Sequence, residues 1–494
     1  LSNPLKKLAS QTVVYGLGSV LPRVMTFLYS FVLTYVFKEP QELSANTEFY
    51  AYISFINILF TYGMETAFFH FSSKEDNKDV VYSTALISLF ASTAAFCFIF
   101  IGFSGSIADF IKEPDHQNYI VWCVLIVATD ALMAIPFAKL RQTNQAKKFA
   151  GLKLLNVFLY IGINVFYFNL CKPAYFENPE STLGSFYNPQ VGVGYSFLAG
   201  LLANIICLLV LAKEFTKIKL EFDTDLWKKM ISYAWPLLIL GFAGMINETF
   251  DRFILKYLLP EDIARHELGV YGQCYRIAML MTIFTTAFKY AAEPFFFNHS
   301  KGNDSKKLNA VVMKYYILFC WFIFLGTMMN LPWLQHIIGE KYRSGIAVVP
   351  ILLLANLCVG VYWNLSIWFK LTGQTKFGAA ITIIGAVITL VINFVGIPKF
   401  GYMACAWATL ISYAGMMIMS YVLGQKYYPV KYNLRSISVF STLALVLYFV
   451  STLFSDTESV ILKLVINNIL LAIFAWIFYK LEFDNLKKLK HIEA

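Results

Sequence analysis

The sequence predicts an all-α polytopic membrane protein of about fourteen transmembrane helices, in two parallel six-helix lobes followed by two C-terminal helices. Three observations lead there. With 58% hydrophobic and 14% charged residues, the chain lacks the roughly 25% charge that soluble domains use to coat their surfaces. Apolar runs of about 20 residues, enough to cross a hydrocarbon core of roughly 30 Å as helix, recur from near the first residue to near the last. Lys and Arg also alternate between rich and poor loops, as a multi-pass topology requires.

Taken in order, the spans are expected near residues 8 to 37, 48 to 72, 80 to 103, 119 to 138, 149 to 171 and 191 to 212. The second series lies near 230 to 257, 268 to 297, 308 to 331, 346 to 369, 377 to 398 and 401 to 424, and the last two near 436 to 454 and 459 to 480. The first run follows Lys6 and Lys7, but it is too long for a signal-peptide core and carries no small-residue cleavage site. It reads as a retained span. Lobes of residues 1–220 and 221–430, with 431–494 as the added helices and tail, follow from this division.

One set of alternate loops and span ends holds about 25 Lys and Arg, among them Lys74, Arg141, Lys147, Lys219, Lys376 and Arg435. The other set holds about nine, including Lys112, Lys172, Lys256 and Arg265. Positive charge stays on the cytoplasmic side, so both termini are expected there. The halves also resemble each other: Gln145, Lys147 and Asn164 match Gln374, Lys376 and Asn393 at a constant offset. A rival register matches Phe137 to Phe369 and Gln142-Thr143 to Gln374-Thr375, so the alignment needs a small gap. An even number of spans per repeat makes the lobes parallel, a design used by transporters.

Ionisable groups at membrane depth cost roughly 2.5–3.5 kcal/mol each on insertion scales, so they mark cavities or partners. This chain has Arg23, Glu65 and Asp130 in its first half, and Glu248, Asp251, Arg252, Arg276, Lys289 and Glu293 in its second. Arg23 lies about 15 residues, roughly 22 Å, along its helix, near the midplane. A guanidinium there offers forked donors to a phosphate or braces Glu65. Glu248 and Arg252 share a helix face at i, i+4, beside Asp251, as do Lys289 and Glu293. Both groups read either as fixed ion pairs or as gates that exchange partners. Arg23, Arg252, Arg276 and Lys289 are the candidate substrate ligands; Glu65, Asp130, Glu248, Asp251 and Glu293 are candidates for gating or coupling. Lys153 and Lys314 sit close enough to helix ends to snorkel.

Other chemistry finds no signature. The sequence has no GxxxxGK[ST] and no HExxH, and its six His and eight Cys are scattered without metal-ligand spacing. No catalytic residue, metal or cofactor is expected. The net charge of +10 is spread over loops rather than gathered into a basic, aromatic stripe, so nucleic acid is not an expected partner.

Several segments carry a family resemblance: Tyr233-Ala-Trp-Pro236, Asp251-Arg252-Phe-Ile-Leu, Gly269-Val-Tyr271, and Pro294. Tyr15-Gly16 with Arg23, Gly63-Met-Glu-Thr-Ala67 and Thr372-Gly-Gln-Thr-Lys376 add to it. Together they resemble the polysaccharide-transport branch of the multidrug/oligosaccharidyl-lipid/polysaccharide (MOP) exporter superfamily. The resemblance implies a flippase in the bacterial inner membrane. It would carry a polyprenyl-pyrophosphate-linked oligosaccharide to the outer leaflet for O-antigen, capsule or exopolysaccharide synthesis. Expected partners are that lipid-linked oligosaccharide, membrane lipids, a polysaccharide polymerase and glycosyltransferases. Sugar hydroxyls and pyrophosphate need a hydrated, cationic cavity, because each unsatisfied polar group is costly in hydrocarbon. An ion-coupled multidrug exporter of the same superfamily and a nontransporting scaffold for glycan-synthesis enzymes are the competing readings. The first span carries Arg23 and no acid, which speaks against cation antiport.

Overall fold

The computed structural model describes residues 2–75, 77–143, 145–216, 221–298, 305–454 and 459–490; the side chains of 2–17, 19, 216, 290–298, 305 and 483–490 are outside that description. Among the described residues all regular structure is helical. Helices α1 (Ser2–Val36), α2 (Pro40–Thr61), α3 (Met64–Ser72) and α4 (Lys78–Gly102) lead to the short α5 (Ser104–Phe110). Next come α6 (Gln117–Gln142), α7 (Ala146–Val165), α8 (Lys172–Glu177), α9 (Tyr195–Thr216), α10 (Thr224–Leu258) and α11 (Glu261–Asn298). The chain continues through α12 (Ser305–Met329), α13 (Leu331–Leu334), α14 (Val348–Leu365), α15 (Ile367–Leu371), α16 (Thr375–Phe400), α17 (Tyr402–Tyr427), α18 (Leu434–Thr452) and α19 (Val460–Lys490).

Among the described residues 11 helices are long and apolar enough to cross a membrane. With α1, the α2–α3 pair and α11, they account for the expected complement, and the protein is a multi-pass membrane protein. Local chemistry sets several boundaries. Asp223 accepts hydrogen bonds from the Asp225 and Leu226 amides at 2.9 Å and caps α10, while Asn77 and Asn433 cap α4 and α18 in the same way. Pro40 and Glu42 suit a first turn, so α2 starts before its apolar run does.

The span expected at 48 to 72 is broken. Tyr62 and Gly63 take left-handed φ of 32° and 73°, ending α2 and starting α3. A Cβ at Gly63 would stand 3.1 Å from Leu237 Cβ and 3.3 Å from the Ala234 carbonyl, so the break also lets α10 come close. The span at 149 to 171 passes through a π-helical turn, Phe166–Cys171, into α8. That at 346 to 369 is interrupted at Ser366, between α14 and α15.

The chain forms two compact units, Leu1–Gly272 with Ala386–Cys405, and Gln273–Gly385 with Ala406–Ala494. In the first, Met64, Phe68, Val81, Tyr82, Ile135 and Met230 bury a core where α3, α4, α6 and α10 meet. Gly18 lies so close to Ala150 that α1 and α7 touch almost backbone to backbone. Such close approach matters because lipid is as apolar as the core, and cohesion comes from packing and hydrogen bonds rather than escape from water. In the second unit, Ala355, Tyr362, Ile381, Tyr413 and Met416 form a core, and Lys314 reaches Glu482 at 2.5 Å. Lys314, expected to snorkel, is instead 7% exposed, because Glu482 stands beside it. Of the residues matched between the halves, Gln145 directly precedes α7 and Gln374 directly precedes α16, and Asn164 and Asn393 are both fully buried within those helices.

Candidate functional site

Six of the sequence-picked charges lie in the first unit, four of them on α1 and α10. Arg23, one residue beyond Pro22 on α1, is exposed, as is Glu248 on α10, and the two lie within electrostatic reach of each other. One turn further along α10, Asp251 and Arg252 are buried. Arg252 Nη1 donates to Asp251 Oδ1 at 3.1 Å and to the Glu248 carbonyl oxygen at 2.7 Å. The second carboxylate oxygen, Asp251 Oδ2, accepts the Tyr271 hydroxyl at 2.6 Å, and the guanidinium lies 5.8 Å from the Tyr271 ring centroid. Of the two acids expected to partner Arg252, Asp251 provides the carboxylate; Glu248 provides its backbone carbonyl and leaves its side chain accessible. A fixed, satisfied pair thus stands beside an accessible base and an accessible acid, able to bind groups of either sign.

Glu65 does not brace Arg23. It accepts a short hydrogen bond from Arg141 Nη2, joining α3 to the last turn of α6. That brace is the sequence's alternative to a phosphate role for Arg23; Arg141 reads from sequence as a loop charge, yet α6 runs on to Gln142 and carries it to Glu65. Asp130, midway along α6, accepts from Asn204 Nδ2 at 3.0 Å; the same amide meets Thr129 Oγ1 at 3.1 Å, and Asn204 Oδ1 accepts from Asn156 at 2.8 Å. Lys153 lies within electrostatic reach of both Asp130 and Glu65, so it borders this polar interior. Arg276 and Lys289 belong to the second unit, where Lys289 Nζ stands 4.8 Å from the Trp363 ring centroid. The Glu293 side chain lies outside the described residues, as does Lys219.

Sequence reasoning missed a further group. Lys256 Nζ donates to Glu48 Oε1 at 2.7 Å and to Glu113 Oε1 at 2.9 Å, and all three residues are buried. Arg265 Nη2 reaches the same Glu113 oxygen at 3.1 Å, and His116 Nδ1 reaches Glu113 Oε2 at 2.8 Å. Burial pushes the Glu113 carboxyl upward, but the contacts with His116, Lys256 and Arg265 outweigh it and hold the group down to about 2. Each member sits at a span end, where sequence alone reads an ordinary solvated loop charge. No motif marked the group, because the lysine-poor side also carries other acids, such as Glu42, Asp109, Glu180 and Asp262, that sequence cannot tell from Glu48 and Glu113.

The architecture is shared with solved transporters. Lipid II flippase MurJ in an inward closed conformation superposes with a TM-score of 0.73 at 15% identity, covering 95% of this chain and 99% of that one. An inward-facing multidrug resistance MATE family transporter of the MOP superfamily gives 0.62 at 14% identity, covering 84% and 94%. A MOP superfamily transporter from Pyrococcus furiosus, described as having a binding pocket of reverse polarity, gives 0.60 at 14%, covering 86% and 95%. No curated protein sequence matches the chain. The fold defines the class, a polytopic helical membrane protein built like these solved structures. Residues 8–299, more than half of the chain, match the family described as polysaccharide biosynthesis protein, and the chain belongs to that family.

Proposed function

We propose that the protein is a flippase that moves a polyprenyl-pyrophosphate-linked oligosaccharide from the cytoplasmic to the outer leaflet by alternating access. The glycan would serve O-antigen, capsule or exopolysaccharide synthesis. The observation that carries the reading is the accessible Arg23 on α1, a fixed positive charge within an apolar span. Such a charge is costly in lipid unless it meets water or an anion, and its forked donors suit pyrophosphate. Arg252, tied to Asp251, would hold the neighbouring helix in place, and Arg276 and Lys289 would contribute from the second half. Glu65, Asp130, Glu248, Asp251 and Glu293 would gate or couple the movement. Family membership in polysaccharide biosynthesis and the likeness to a lipid II flippase support this substrate class.

In this reading residues 1–220 and 221–430 are the moving lobes and 431–494 the accessory helices. The protein would lie in the bacterial inner membrane with both termini cytoplasmic, beside a polysaccharide polymerase and glycosyltransferases. One observation favours a second reading, ion-coupled multidrug export: Glu248 is an accessible acid, suited to a cation. The two readings separate in reconstituted vesicles holding a fluorescent lipid-linked glycan. The flippase makes the glycan accessible on the far side without an added drug gradient. Unchanged accessibility together with drug uptake would replace the first reading by the second. Neither activity would leave the scaffold.

A further inference from the structure

The buried ion cluster around Lys256 joins segments far apart in the chain. Glu48 comes from the first turns of α2 and Glu113 and His116 from the turn before α6, whereas Lys256 ends α10 and Arg265 lies in the first turns of α11. Glu48 and Glu113 face Lys256 and Arg265, with His116 on the remaining Glu113 oxygen and the exposed Glu261 also on Arg265 at 3.1 Å. The backbones close in at the same place. A side chain at Gly269 would collide with the Pro40 carbonyl, and one at Gly272 with the Thr47 side chain. These glycines let α11 lie against the start of α2. All of these residues belong to the first compact unit, although α10 and α11 open the second half of the sequence repeat.

We infer that the Glu48–Lys256–Glu113–Arg265 cluster is a latch. It holds the start of the second half against the first at the face that the loop charges assign to the outside, and it must part for that face to open. The inference rests on the alternating-access reading above. Charges suit this task better than an apolar seal. While closed they satisfy each other, and once water enters each is hydrated, so the opened state exposes no apolar surface in their place. A permanent structural contact needs no such reversibility. The geometry also makes Lys256 the keystone: it alone touches both carboxylates, with Glu48 approached by no other base within ion-pair distance among the described residues.

Spin labels carried on unnatural amino acids at the exposed positions 115 and 262 flank the junction and leave the native cysteines in place. In reconstituted, substrate-free protein, pulsed dipolar spectroscopy of the parent should give one short, narrow distance distribution. Lys256→Gln should add a longer population, and Lys256→Arg should keep the parent distribution. If Lys256→Gln fails to fold for want of a partner for two buried carboxylates, Glu48→Gln/Glu113→Gln/Lys256→Gln leaves no such charge unpaired and should show the longer population. A parent-like distribution in the triple variant overturns the latch. Because no substrate is present, the two readings fail separately. A distance shift without glycan flipping removes only the flippase, and flipping with unshifted distances removes only the latch.

Discussion

The Tyr271 hydroxyl donates to Asp251 Oδ2 at 2.6 Å, across the turn from α10 to α11, and leaves Asp251 Oδ1 for Arg252. Asp251 is thus satisfied on both oxygens, and Arg252 depends on it. Arg252→Gln alone should lower folded protein several-fold, and Asp251→Asn with Arg252→Gln should recover much of it, since breaking one side of a buried pair costs about 3–5 kcal/mol. Fluorescence-detected size exclusion gives the amounts. Losses that simply add would remove the pairing, and Glu248→Gln should not rescue Arg252→Gln.

Arg23→Lys should keep part of the glycan transport, whereas Arg23→Gln should abolish it at normal protein abundance, because two phosphates require at least a retained charge. Glu65 is held by Arg141, so Glu65→Gln should not restore anything to Arg23→Gln. Full transport by a stable Arg23→Gln protein would end the phosphate role.

Arg141 and Glu65 join α3 to α6 beyond the break at Tyr62–Gly63. Their pair is about two-fifths exposed, and exposed pairs are typically worth only about 0–1 kcal/mol. Arg141→Gln should therefore shift the thermal midpoint in detergent by no more than a few degrees. A collapse of folded protein would show that the pair does more than join two helices.

Glu113 titrates well below the usual carboxylate range, which makes its contribution a function of pH. A carboxyl depressed from 4.5 to about 2 on folding adds stability that is complete above the unfolded value and is lost as pH falls through the folded one. The difference in thermal midpoint between the parent and Glu113→Gln should be constant from neutral pH down to about 4.5 and shrink toward pH 2. A difference that grows on acidification would reverse the assignment.

Cysteines introduced at Lys147 and Lys376, on the lysine-rich side, should resist membrane-impermeant reagents added to whole cells, while one at Lys112 should react. Labelling in the opposite sense would invert the topology and place the Lys256 cluster on the cytoplasmic face.

Sequence alone determined the class of the molecule, the spans and the residues that are costly in lipid, because the length of an apolar run and the charges within it are local quantities. It also singled out Arg23 and the Asp251–Arg252 step of α10. Tertiary structure decided which charge meets which. Glu65 answers Arg141 rather than Arg23, Arg252 takes Asp251 rather than the Glu248 carboxylate, and Lys256 joins Glu48 and Glu113 across 208 and 143 residues of chain. Such pairings depend on how far each helix runs past its apolar core, where it breaks and how closely its neighbours pack. The break at Tyr62–Gly63, the extension of α6 to Gln142 and the glycine contacts of α11 all act between helices, and no periodicity within a single helix contains them.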